Sequence, residues 1–261
     1  MEREKGEDQL EILQVLREAA LDPAFPFRIV IASRPERVFR EFFNNENHKS
    51  SFAPSLVLDE KYNPNADIIL FLQAKFSEIR RRYNLSPSWP SPEILAILLD
   101  QASGQFIYVA TVIRYITTSR HGTPQTLLDQ VLKVKPSSGT NPFSHLDAFY
   151  THILQSAPKP TLAAKWLCIL NGKIPNWDRV FFSSTSPPAF LVNLLLQTED
   201  GDAEYALGDL HSLIDVPPSD DLETPYRPYH KSLYDFLGSE DRCGPIYVGH
   251  MQCAEFLWGS Y

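Results

Sequence analysis

The chain has 261 residues, 43% hydrophobic and 21% charged, which is enough apolar material for a sizeable core and excludes a disordered polymer. Lys and Arg number 24 against 32 Asp and Glu, a net charge of −8 that disfavours binding to phosphate backbones or anionic lipid. No apolar run reaches membrane-spanning length. Residues 1–20 are acidic and charged, unlike a secretory or mitochondrial leader, so the expected compartment is the cytoplasm. Cys168, Cys243 and Cys253 form no CxxC pair and are odd in number, so the expectation is buried thiols, with neither a disulfide framework nor a zinc site.

In chain order, Leu10, Leu13, Leu16 and Ala20 recur near the helical period, with Ile12 and Val15 widening the stripe, and Pro23 and Pro26 end this first helix. Phe27 to Ala32 is a short β-branched run that reads as a buried strand, stopped at Ser33-Arg34-Pro35. One strand cannot make a sheet, so residues 1–52 read as the remnant of a larger α/β layer. An unpaired strand edge of this kind also invites self-association.

From Asn65 the period becomes helical through Ile68, Ile69, Leu72, Phe76, Ile79 and Tyr83, with Arg80, Arg81 and Arg82 at the C-terminal end of the dipole. Pro92 opens a second helix, Phe106 to Thr117 is apolar nearly all round and predicts a central buried helix, and Pro124 to Val134 predicts a fourth. These define a four-helix domain over 53–135, followed by a Pro/Ser/Gly linker at 136–141. Beyond it, helices are expected around Leu146–Leu154, Thr161–Leu170, Pro188–Gln197 and Ala203–Leu213. Ile214–Val216 and Tyr226–Tyr229 then flank a Pro/Asp-rich tip as a small hairpin, before a closing helix at Lys231–Leu237. Helices, a hairpin and a closing helix are the order of a winged-helix domain, here 142–261. The fold class expected for the whole chain is therefore mainly α.

The chemical motifs are mostly exclusions. GxxxxGK[ST] is absent, and Gly172-Lys173 runs into Ile174 before a proline. Leu58-Asp59-Glu60 imitates an acidic Mg²⁺ strand, but it follows the Arg34 segment, and no metal site is assigned. HExxH, GxSxG and GxGxxG are missing as well. A DNA-reading winged helix needs a basic face, whereas Glu199, Asp200, Asp202, Glu204 and Asp209 offer the wrong sign.

Arg28-Ile29-Val30-Ile31-Ala32-Ser33-Arg34-Pro35-Glu36 resembles the sensor-1 strand and turn of NACHT-type STAND NTPases, especially the large fungal set with a nephrocystin-like core. In the same order, Leu58-Asp59 with Asp67-Ile68 and Phe71-Leu72, then Trp89-Pro90 and Ser103 to Val112, resemble the family's helical-domain motifs. Pro142-Phe143, Leu146-Asp147 and Tyr150 are similar to the helix that begins its winged-helix domain. Leu210 to Leu213 and His230 to Leu237 resemble that domain's paired motifs. The resemblance covers most of the chain and implies the end of an NTPase core, the helical domain and the winged helix. The phosphate loop and Mg²⁺ strand that precede sensor 1 in the family are not encoded here.

The resemblance implies a truncated regulatory or interaction module of a nucleotide-gated switch, not an enzyme in itself, with protein partners and no cofactor of its own. ATP or ADP would belong to a full-length relative. Arg34 as sensor 1 and His230 as the winged-helix histidine are implied as vestigial phosphate sensors facing one cleft. Gly104-Gln105-Phe106 replaces the family's Gly-x-Pro, so no adenine contact is expected. On the residues alone, His230 reads equally as a cap on the closing helix or a histidine hydrogen-bonded within its domain. The alternative function is a free-standing helical adaptor acting by protein–protein contacts.

Overall fold

The computed structural model describes residues 2–33, 36–44, 54, 63–119, 121–136, 141–171, 186–218 and 220–259. The chain divides into two units, 1–62 and 63–261. The first carries α1 (Glu2–Leu21) and α2 (Arg37–Asn44), which contact one another. Leu13 of α1 and Phe42 of α2 are buried, whereas Ile12 and Val15 are exposed, so the expected apolar stripe narrows to its centre. Phe27–Ala32 is not a strand. It has no ladder partner among the described residues, and Phe27 (72%) and Val30 (93%) are largely exposed. A β-branched run makes a strand only where another strand takes its amide and carbonyl groups. In hydrogen exchange, amides 28–32 are expected to exchange at nearly unprotected rates, and those of 108–116 slowest of all. Equal protection of the two segments in a verified monomer would contradict this.

The second unit begins with α3 (Asn65–Tyr83), α4 (Pro92–Ala102), α5 (Phe106–Thr118) and α6 (Pro124–Lys133). Their boundaries have local causes. Prolines occupy the first position of α4 and α6, where a missing N–H costs nothing. The Thr123 side chain accepts from the Thr126 N–H at 3.3 Å to cap α6. Asn84 ends α3 in the left-handed region at φ 51°. Between α4 and α5, Ser103 (φ 48°) and Gly104 (φ 76°) both turn left-handed, and a side chain at Gly104 would press on the Pro64 ring at 3.2 Å. Ile68, Leu72, Phe76 and Ile79 line one buried face of α3. Seven of the thirteen residues of α5 are buried, as its apolar circumference predicts. The Trp89–Pro90 bond is cis, and the Trp89 ring meets Phe76 edge-on at 5.4 Å.

The chain continues through α7 (Ser144–Ser156), α8 (Pro160–Leu170), α9 (Ala189–Leu196) and α10 (Asp202–Leu207), then a 3₁₀ turn at Gly208–Leu210. β1 (Ile214–Asp215) and β2 (Arg227–Pro228) pair antiparallel, Ile214 opposite Pro228 and Asp215 opposite Arg227. The chain closes with α11 (Ser232–Leu237), α12 (Glu240–Cys243), a 3₁₀ turn at Gly244–Ile246 and α13 (His250–Gly259). The described protein is thus mainly helical with one small antiparallel sheet. Among the described residues no helix is long and apolar enough to cross a membrane.

One continuous core runs from Ile68 in α3 to Leu257 in α13. It crosses between α5 and α7, where Phe149 meets the rings of Tyr115 at 5.4 Å and Tyr108 at 6.1 Å. The Gln105 amide also donates to the Pro142 carbonyl at 2.8 Å. Helix α8 is the hub of the later half, touching α7, α10, α11, α13 and the second 3₁₀ turn.

The cysteines differ from expectation. Cys168 of α8 and Cys253 of α13 form a disulfide, their Cα atoms 6.7 Å apart, and only Cys243 remains a free, buried thiol. The two partners are 85 positions apart, so the local spacing carries no trace of them. Packing of the last helix on α8 brings them together.

Candidate functional site

His230 stands between β2 and α11, two residues ahead of Ser232. The Ser232 N–H donates to His230 Nδ1 at 3.1 Å, and the Ser232 hydroxyl lies 2.8 Å from the same nitrogen. A nitrogen that accepts a backbone N–H carries no proton, so the neutral ring holds its hydrogen on Nε2. The Ser232 hydroxyl then donates to Nδ1 and accepts a hydrogen bond from the Tyr150 hydroxyl, whose Oη is 2.8 Å away. Burial raises the Tyr150 pKa, which keeps it a donor. His230 is thus hydrogen-bonded within its domain, its Nδ1 accepting from the first amide of α11, whose N-cap position is Lys231.

Beside this relay, Arg114 projects from α5. Its guanidinium sits over the Tyr229 ring at 4.3 Å and reaches the Ser212 carbonyl at 3.5 Å. Burial lowers its pKa, offset by the neighbouring hydroxyls of Tyr229 and Tyr150, but a guanidinium stays charged at any ordinary pH. On the far side of Tyr150, Arg242 grips Asp147 through two bonds, Nε to Oδ2 at 2.9 Å and Nη2 to Oδ1 at 2.6 Å. The Arg242 guanidinium also covers the Phe143 ring at 5.2 Å.

Chemically, this corner is rich in hydrogen-bond donors, with the charge of Arg242 matched by Asp147. The Ser232–His230 pair has the composition of a nucleophile and base, but Ser232 is 5% exposed and its hydroxyl is engaged by both His230 and Tyr150. No group of three metal-ligating side chains occurs among the described residues. Arg34 and the Leu58-Asp59 pair lie outside the described residues, and so does the cleft expected between Arg34 and His230.

Sequence reasoning picked out His230 but passed over Arg114. The available signal was a single cation in an otherwise apolar buried helix, which has to find a carbonyl, a ring or an anion.

One neighbour is pH-sensitive. His152 of α7 packs between Tyr115 (6.1 Å) and Phe149 (6.5 Å), with Nε2 buried and unpartnered among the described residues. Burial lowers its pKa below the usual 6.5, so on acidification the unfolded chain takes up this proton first. Stability is whole above about pH 6.5 and declines as the pH falls from there through the lowered folded value. The urea midpoint is expected to drop between pH 7.5 and pH 5, and to drop less in His152→Phe; equal drops would remove His152 as a contributor.

Comparison with protein-family models, with curated proteins and with solved structures finds no match.

Proposed function

We propose that the chain is a truncated regulatory or interaction module of a NACHT-like, nucleotide-gated switch, with no hydrolysis of its own. Residues 1–52 are then the remnant of the NTPase core, 53–135 the helical domain, 136–141 a linker and 142–261 the winged-helix domain, all acting in the cytoplasm on protein partners. The observation that carries this reading is the setting of His230. Its ring is fixed by Ser232 at the head of α11, in the same corner as the desolvated Arg114. A neutral imidazole held through Nδ1 suits a phosphate sensor, because Nε2–H donates to an anion and the ring gains charge as the anion raises its pKa.

Hydrolysis needs a phosphate loop and metal around the γ-phosphate, and no GxxxxGK[ST] occurs in this sequence. The purified chain is accordingly expected to release no phosphate from ATP or GTP. Steady turnover that survives further purification and is lost in Arg34→Ala would overturn the reading. Fused behind a complete family core, the chain should hold ADP, and His230→Ala should weaken that binding by a few kcal/mol at most. Equal affinity with and without the imidazole would leave only a histidine hydrogen-bonded within its domain.

A free-standing helical adaptor is the second reading. It is favoured by apolar side chains that stand in solvent, notably Leu70 (62%), Leu194 (72%) and Met251 (74%). An in-frame GxxxxGK[ST] upstream in the transcript separates the two, since the adaptor needs none.

A further inference from the structure

The geometry points to a reversible thiol–disulfide site at Cys168 and Cys253, which fastens α13 to α8 and is opened and closed by a glutathione-class disulfide couple. The two Cα atoms lie within the span a disulfide bridges. The Val248 carbonyl stands 3.9 Å from Cys168 Sγ, so a Cys168 S–H released by reduction has an acceptor within reach. The two sulfurs differ in access. Cys253 is 1% exposed, whereas Cys168 is only partly buried. The seam between α8 and the chain's end also opens into a cleft lined by Lys165, Tyr247, Gln252 and Phe256.

That asymmetry sets the order of events. The Cys168 thiolate attacks one sulfur of glutathione disulfide, forming a mixed disulfide and releasing one glutathione thiolate. Cys253 then attacks the Cys168 sulfur of the mixed disulfide and expels the second glutathione. The two thiol protons end on the two glutathiones, so two protein thiols and one glutathione disulfide become one protein disulfide and two glutathione thiols. Reduction retraces these steps. Cys243 stays out of the exchange, because burial, with a smaller push from Asp147, raises its thiol to about 11 and leaves almost no thiolate at neutral pH. Opening the link removes the covalent tie on α13, which otherwise depends on packing by Leu257 and Phe256.

The test equilibrates the full chain in buffers of varied reduced and oxidised glutathione, then quenches in acid and alkylates. Chymotryptic cleavage after Tyr247 separates Cys243 from Cys253 for mass spectrometry. A Cys168–Cys253 linked peptide should rise with oxidised glutathione and disappear again on return to the reduced form, with Cys243 a single thiol throughout. Amides of 251–257 should exchange at least tenfold faster in the reduced chain. Cys168→Ser and Cys253→Ser should show the fast exchange in both buffers; if the buried Cys253→Ser does not fold, the partly exposed Cys168→Ser gives the same reading. The proposal fails if no linked peptide forms at any ratio, if the link involves Cys243, if it persists in excess reduced glutathione, or if exchange of 251–257 is the same in both states.

Discussion

Trp166→Ala is expected to lower the unfolding free energy of the 63–261 unit by about 3–5 kcal/mol. The indole is 1% exposed in α8, the helix that touches more of the later elements than any other described. Truncation loses the transfer energy of a large ring and leaves a cavity whose walls belong to several helices. The hub cannot collapse onto it without pulling its neighbours out of register. Trp166→Phe, which keeps most of the volume, should cost well under half as much. Urea denaturation followed by circular dichroism measures both. A loss below about 1 kcal/mol for the alanine variant would mean that the site relaxes freely and that α8 is no hub.

Asp147→Ala should cost about 3 kcal/mol, although it removes only a small side chain. Arg242 and Asp147 are 21% and 11% exposed, so the guanidinium that stays behind is poorly hydrated and loses both charge-assisted bonds. Most of the cost is therefore the stranded cation, and removing it as well should recover stability. In a double-mutant cycle, Asp147→Leu with Arg242→Met is expected to lie within about 1 kcal/mol of the parent, with a coupling of 2 kcal/mol or more. Additive single losses would show a pair screened as at an open surface.

Much of the helical half was legible because its punctuation is local. Pro92 and Pro124 start their helices where expected, and the spacing of Ile68, Leu72, Phe76 and Ile79 marks the face that is buried. The hairpin at Ile214 and Arg227 was legible from its turn residues. Phe27–Ala32 misled, because apolar β-branched composition records a propensity, and a strand needs partners. Helices α2 and α12 went unread because eight and four residues carry too brief a pattern, and α13, though ten residues long, has no proline, Ser, Thr, Asp or Asn to announce its start.

The site divides along the same line. His230 and Ser232 are two residues apart, and their bond is local. Asp147 and Arg242 are 95 apart, Tyr150 and Ser232 82, and Arg114 and Ser212 98. Such pairs come from packing between distant helices, and no periodicity announces them.

The aromatic contacts that carry the core from α5 to α7 bear on what happens if the backbone is severed between Pro136 and Asn141. Phe149 would lose Tyr108 and Tyr115, and each piece would bare a face shaped to the other. Two polypeptides ending there are therefore expected to behave as cognate halves that reassemble without a covalent tie, and either alone is expected to be the less soluble for its bared face. The segment joining them serves mainly to raise the effective concentration of one face for the other.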